Sequence, residues 1–407
     1  MKTLPIIFLL VTSFLSLPVL AKWDRQTRAV ESLYENPYNP DNAKLGLGYF
    51  PTVYALIVAG KKSSGLRAIN LGKEVSFDSP RFLKKSTYFL SQRKHKAPLA
   101  ILVPNLMQDH KSMLYLVNLF AKKGFHVLSL PTALSMSYLK QKPVHPLGDL
   151  KSEALNHLES IDRAIGELSD RNLLDYDDTQ IIGISYGALL ALMIKNLDSI
   201  NDRHIDQATV ICPPSSLSFA AKQFDKLFEE NKRVGAVQLI SKYLSTKAKI
   251  KRAQQVKDVS EGVKRDYLVL ASNRLSSKIK KTGKQYKSNF APKTLDKWLK
   301  WDKKTKNINA PGTFEELFSY AKKLNPNQSF KDASVRENSL LYWYRQEQKT
   351  NPGQVRVLSS TNDDLVEGRN YWRQFSSQDV MLLNGGGHCG FAGTDWFYED
   401  FLPAAFF

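Results

Sequence analysis

Along this chain, short unbroken apolar runs alternate with longer stretches whose apolar residues fall three or four apart. Ser86–Gln92 and Pro98–Pro104 read as strands, the second buried on both faces because nothing polar interrupts it. The segment 110–124 has helical spacing at Met113, Val117 and Phe120 and a stop at Gly124. A strand at 125–131 follows, then a long amphipathic helix at 148–168 with Leu150, Leu155, Leu158 and Ile165 on one face. Next come a strand at 179–185, a helix from Ala188, and a strand at 207–214 that ends on two prolines. Buried strands alternating with helices predict an α/β class: a mostly parallel central sheet with helices on both faces.

The rhythm stops near Ser216 and resumes at Gln354. Between them only Asp266–Ser272 has the apolar content of a strand; the rest is helix-like and carries Trp298, Trp301, Trp343 and Tyr344. Two more strands, at 354–360 and from Asp379, each open into a polar loop, and a last helix is expected near 394–402. One core, 22–215 and 350–407, is thus interrupted by a large helical insertion at 216–349, and no internal repeat is visible. Residues 1–21 stand apart. A lone lysine, Lys2, precedes an apolar stretch that ends on Val19-Leu20-Ala21, the layout of a secretory signal peptide cut after Ala21. No cysteine stands near that site to take a lipid, and no later run approaches the roughly 20 apolar residues of a membrane helix. The expectation is an exported chain, periplasmic or secreted.

Charge changes the picture in one place. The formal net charge is +19, and from Lys222 to Lys306 there are 24 Lys and Arg against 8 Asp and Glu. The excess is therefore a property of the insertion. Three readings stand: a lid facing an anionic membrane surface or acidic substrate, a solvated surface, and, as the weakest, nucleic-acid binding through Lys and Arg interleaved with aromatics. Two cysteines, Cys212 and Cys389, exclude a disulfide-rich scaffold. An oxidising compartment permits one bridge, which the sequence does not decide; that both look like strand-end residues beside the candidate site weighs against it. No metal-binding pattern occurs, and no cofactor or metal is expected.

The chemistry gathers at strand ends, where open parallel sheets place ligands. Gly183-Ile184-Ser185-Tyr186-Gly187 joins a buried strand to a helix, and the flanking glycines remove Cβ atoms where the two pack close. A neutral serine hydroxyl needs a base, and the base an orienting carboxylate. Both follow: Asp363-Asp364 after one strand, and His388 in Gly385-Gly386-Gly387-His388-Cys389-Gly390-Phe391 after the next. Ser, Asp and His thus stand each at the end of its own strand.

These stretches resemble the α/β-hydrolase superfamily. "GISYG" matches its nucleophile elbow and "SSTNDDLV" its acid loop, and that alignment makes Asp363, not Asp364, the acid. "GGGHCGF" is similar to the ending of the YheT-like esterase branch. The resemblance implies an α/β-hydrolase fold with a helical lid after the sixth strand, and a serine esterase with Ser185 as nucleophile, His388 as base and Asp363 as acid. Members usually carry His-Gly after the third strand; here Pro104-Asn105 stands there, with asparagine, tolerant of unusual backbone angles, in place of glycine. The implied oxyanion donors are the backbone N–H groups of Tyr186 and Leu106, with Asn105 and Met107 lining the substrate site. A small or lipid-like acyl ester is the expected substrate. An amidase or peptidase using the same three residues, and a non-catalytic binding protein on this scaffold, are the alternatives.

Overall fold

The computed structural model describes residues 72–77, 86–91, 96–108, 113–132, 134–140, 148–200, 205–232, 261–290, 311, 313–324, 337–361, 363–368, 370–383 and 388–389. The expected signal segment, Trp298, Trp301, the glycines at 385–387 and the last helix lie outside the described residues. The strands are β1 (Gly72–Phe77), β2 (Ser86–Ser91), β3 (Ala97–Val103), β4 (His126–Ser129), β5 (Tyr176–Ile184), β6 (Gln207–Ile211), β7 (Val355–Ser360) and β8 (Val380–Leu383). They form one sheet in the order β1-β2-β4-β3-β5-β6-β7-β8. From β4 onward all pairings are parallel, and β2 runs antiparallel to both its neighbours.

The unbroken apolar run of β3 has the burial its pattern predicts. Leu99, Ile101 and Val103 pack into one core cluster, and Ala100 and Leu102 into another on the opposite face. On the second face lies α1 (Leu114–Lys122), seated through Leu116, Val117 and Phe120. The short α2 (Met136–Lys140), α3 (Leu150–Asp170) and α4 (Tyr186–Ile200) belong to the first. Asp149 caps α3 by accepting from the Ser152 N–H at 3.0 Å, satisfying one of the orphan donors of a helix start.

The buried face of α3 differs from the expected one. Leu150 and Leu158 are buried, but Leu155 and Ile165 are only partly so, while Glu153, Asn156 and His157 are buried. The face is rotated because two phenols meet those polar groups inside. Tyr138 accepts from Asn156 Nδ2 at 2.5 Å and Tyr186 donates to Glu153 Oε2 at 2.5 Å.

Helices fill the described parts of 216–349: α5 (Leu217–Lys232), α6 (Glu261–Phe290), α7 (Phe314–Leu324) and α8 (Leu340–Thr350). The expected strand at Asp266–Ser272 lies inside α6. A helix with no strand partner on either side satisfies its own backbone. Lys278, Lys280, Lys281 and Lys284 are exposed along α6, whereas Ile279 and Tyr286 are fully buried. Asp225 of α5 caps α7, accepting from the N–H groups of Phe314 at 2.7 Å and Glu315 at 2.9 Å.

The last of these helices is built into the core. Leu340, Trp343 and Tyr344 of α8 join the main cluster, and Glu347, wholly buried, accepts from Lys195 Nζ of α4 at 3.1 Å and from Asn196 Nδ2 at 3.2 Å. Ser199 and Asn351 add donors at 3.2 and 3.1 Å, so each charge has the partners that burial demands. Among the described residues no helix is long and apolar enough to cross a membrane.

Candidate active site

The site lies at the carboxyl ends of β3, β5, β6, β7 and β8. At the end of β5 the chain must turn from strand to helix within one residue, and that residue is Ser185, with φ +55. Its N–H donates to the Ile211 carbonyl at 2.8 Å, and its carbonyl accepts from Ala188 at 2.9 Å, so the serine is held by β6 on one side and α4 on the other. Space explains the two glycines. A Cβ on Gly183 would sit 2.1 Å from the Gly187 oxygen, and one on Gly187 would sit 2.3 Å from the Pro104 oxygen and 2.4 Å from the Val103 oxygen.

Ser185 is buried, and its Oγ lies 2.6 Å from His388 Nε2. His388 Nδ1 lies 3.0 and 3.1 Å from the two carboxylate oxygens of Asp363. An ionised carboxylate only accepts, so Nδ1 carries the proton of the neutral ring; Nε2 then accepts from the Ser185 hydroxyl. Asp363 is fixed in turn: Oδ1 accepts from the Leu365 N–H at 2.9 Å and Oδ2 from the Ser359 hydroxyl at 3.3 Å. Ser359, fully buried on β7, is a site residue that sequence reasoning missed; nothing marked it apart from its place four residues before Asp363. Asp364 is half-buried and makes no contact with the imidazole of hydrogen-bond kind among the described residues. Burial, with Asp363 beside it, pushes its carboxyl up to about 6.

The eight-stranded order with only β2 running against its neighbours in the main sheet, and a strained serine between β5 and α4, decide the architecture. The fold is that of the α/β-hydrolases. No family model and no curated protein matches the sequence. Among solved structures, an esterase from Pyrococcus furiosus aligns at a TM-score of 0.42 and 13% identity, over 78% of this chain and 83% of its own. Naproxen esterase from Bacillus subtilis aligns at 0.41 and 10% identity, over 86% of this chain and 95% of its own. A hydrolase from Pseudomonas aeruginosa aligns at 0.42 and 13% identity, over 82% and 98%. Likenesses this distant carry no chemistry, which rests on the residues themselves.

The loop after β3 differs from expectation. Asn105 does not take the unusual backbone angle; Met107 does, with φ +56. The loop is a turn closed by the Gln108 N–H donating to the Asn105 carbonyl at 3.1 Å, and Thr132 Oγ1 donates to the Gln108 carbonyl at 3.1 Å. The Leu106 N–H is engaged: it donates to Asn105 Oδ1 at 2.6 Å. Leu106 and Met107 are half-buried and pack against the main core cluster. The Tyr186 N–H, in the first turn of α4, has no acceptor inside its helix and stands at the positive end of the helix dipole. Burial, reinforced by Glu153, holds the Tyr186 phenol well above its ordinary value, so it donates as a neutral hydroxyl.

Cys212 and Cys389, whose pairing the sequence leaves undecided and whose placement weighs against it, are joined in a disulfide with their Cα atoms 5.4 Å apart. Their separation of 177 residues hid what the fold brings together. Among the described residues no three His, Cys, Asp or Glu side chains gather so as to hold a metal ion.

Proposed function

We propose that this protein is an exported serine hydrolase that cleaves acyl esters, with Ser185 as nucleophile, His388 as general base and Asp363 as the acid that orients it. The observation that carries the reading is the continuous chain of contacts from Ser185 Oγ through His388 to Asp363, at 2.6 and 3.0 Å. Ser185 Oγ attacks the ester carbonyl while His388 Nε2 takes its proton. The imidazolium, stabilised by Asp363, then gives that proton to the leaving alcohol, and water deprotonated by His388 releases the acid. Export is supported by the Lys2-to-Ala21 pattern and by the disulfide, a bond that persists in oxidising compartments. The test is labelling of the folded protein by a fluorophosphonate, followed by turnover of p-nitrophenyl esters against aminoacyl p-nitroanilides. Labelling with faster ester turnover is expected. Faster anilide turnover reassigns the enzyme as an amidase, and a folded protein that neither labels nor hydrolyses is no hydrolase.

The oxyanion is assigned to the N–H groups of Tyr186 and Leu106. The Leu106 N–H now donates to Asn105 Oδ1 at 2.6 Å, and in this reading it exchanges that acceptor for the oxyanion in the transition state. Asn105→Ala should therefore keep kcat within about threefold of wild type. A loss of about 10²–10³-fold, the usual cost of one oxyanion donor, would transfer the role to the Asn105 side-chain amide.

A further inference from the structure

We propose that the Cys212–Cys389 bridge is the positioning element of the general base, holding His388 against Ser185; this rests on the reading of Ser185, His388 and Asp363 as a catalytic triad. His388 is preceded by three consecutive glycines, the residue with the greatest backbone freedom. A segment of that composition supplies no side chain to fix an imidazole, so beyond the Asp363 carboxylate that orients the ring, the covalent restraint on His388 lies on the other side, where Cys389 is the next residue. Cys389 is tied to Cys212, and Cys212 is itself immobile: wholly buried, its N–H donating to the Leu358 carbonyl at 2.6 Å.

The residue before Cys212 is Ile211, whose carbonyl accepts the Ser185 N–H at 2.8 Å. A short circuit therefore runs from His388 through Cys389, the two sulfurs, Cys212 and Ile211 to the backbone of Ser185. Both cysteines take left-handed backbone angles, φ +44 at Cys212 and +57 at Cys389, which non-glycine residues adopt only where the surroundings over-determine them. Cys389 Sγ also stands 3.8 Å from His388 Nε2. Reduction would do two things at once. It would free the imidazole from β6, and it would turn that sulfur into a thiol whose S–H competes with the Ser185 hydroxyl for the same nitrogen.

The experiment compares oxidised and reduced protein. A phosphine such as TCEP supplies two electrons and takes up oxygen from water, and the two sulfurs gain two protons. Thiol titration confirms two new thiols, and near-UV circular dichroism reports whether the fold persists. The reduced protein is expected to lose about 10- to 100-fold in kcat on a p-nitrophenyl ester, the cost of a misplaced catalytic group. KM should stay within about twofold, and re-oxidation should restore activity. The double variant Cys212→Ala, Cys389→Ala should show the same low kcat and ignore the reductant. Undiminished kcat after confirmed reduction overturns the proposal. So does loss of the near-UV signal, because the bridge then props the whole fold and not the base. If the oxidised wild type neither labels nor hydrolyses, it is the triad reading that fails.

Discussion

Ser185→Ala is expected to abolish fluorophosphonate labelling and to lower kcat on an ester by about 10⁴–10⁶-fold. The change removes one oxygen, the atom 2.6 Å from His388 Nε2, and leaves the Cβ and every backbone contact of the turn in place. Folding should therefore be untouched, with a melting temperature equal to wild type or slightly above it, as strained active sites trade stability for activity. The two measurements together make the result decisive. A folded Ser185→Ala protein that still labels, or that keeps a tenth of its activity, would move the nucleophile elsewhere.

Gly187→Ala should act on the other quantity, stability, with a loss exceeding about 4 kcal/mol or no folded protein at all. The added Cβ would lie 2.3 Å from the Pro104 oxygen, 2.4 Å from the Val103 oxygen and 2.8 Å from the Val103 carbon. These are backbone atoms at the end of β3, a strand paired on both sides within the sheet, and they cannot rotate away as a side chain could. Gly187 takes no positive φ, so alanine would cost nothing in dihedral strain; the whole penalty is space. Gly166 on α3 supplies the contrast. Nothing lies within 4 Å of its added Cβ, and Gly166→Ala should stabilise by about 1 kcal/mol, the helix-propensity difference. Urea unfolding of both variants tests the pair, and a Gly187→Ala protein as stable as wild type would refute the packing argument.

Much of the fold was legible because period and burial agree. The unbroken run of β3 and the mixed spacing of α1 each leave one reading open. β1 was missed: Lys73, Glu74 and Ser76 break any apolar run, and the strand stands at the end of the sheet, where only one neighbour constrains it. Asp266–Ser272 was misread because a five-residue apolar stretch, Tyr267–Ala271, fits strand and buried helix alike, and only the surrounding thirty-residue helix settles it.

For the site, the proximity of Ser185, Asp363 and His388 followed from their places after successive strands. What escaped was everything decided across the fold: Ser359 under Asp363, the phenol of Tyr186 on Glu153, and the bridge between two cysteines far apart in sequence. Glu153 and His157 look like the solvent side of an amphipathic helix until a tyrosine from α4 and another from α2 face them.

Among the described residues, five that are not glycine take left-handed backbone angles, and four of them, Met107, Ser185, Cys212 and Cys389, follow the ends of β3, β5, β6 and β8. The fifth, Asn172, merely ends α3, where asparagine is at home. One edge of the sheet thus holds nearly all the conformational tension of the described chain, while the opposite edge is relaxed. Selection for a hardier protein and selection for a faster one therefore pull on the same few residues in opposite directions. Variants evolved for heat tolerance alone should accumulate changes at that edge and lose turnover as they do.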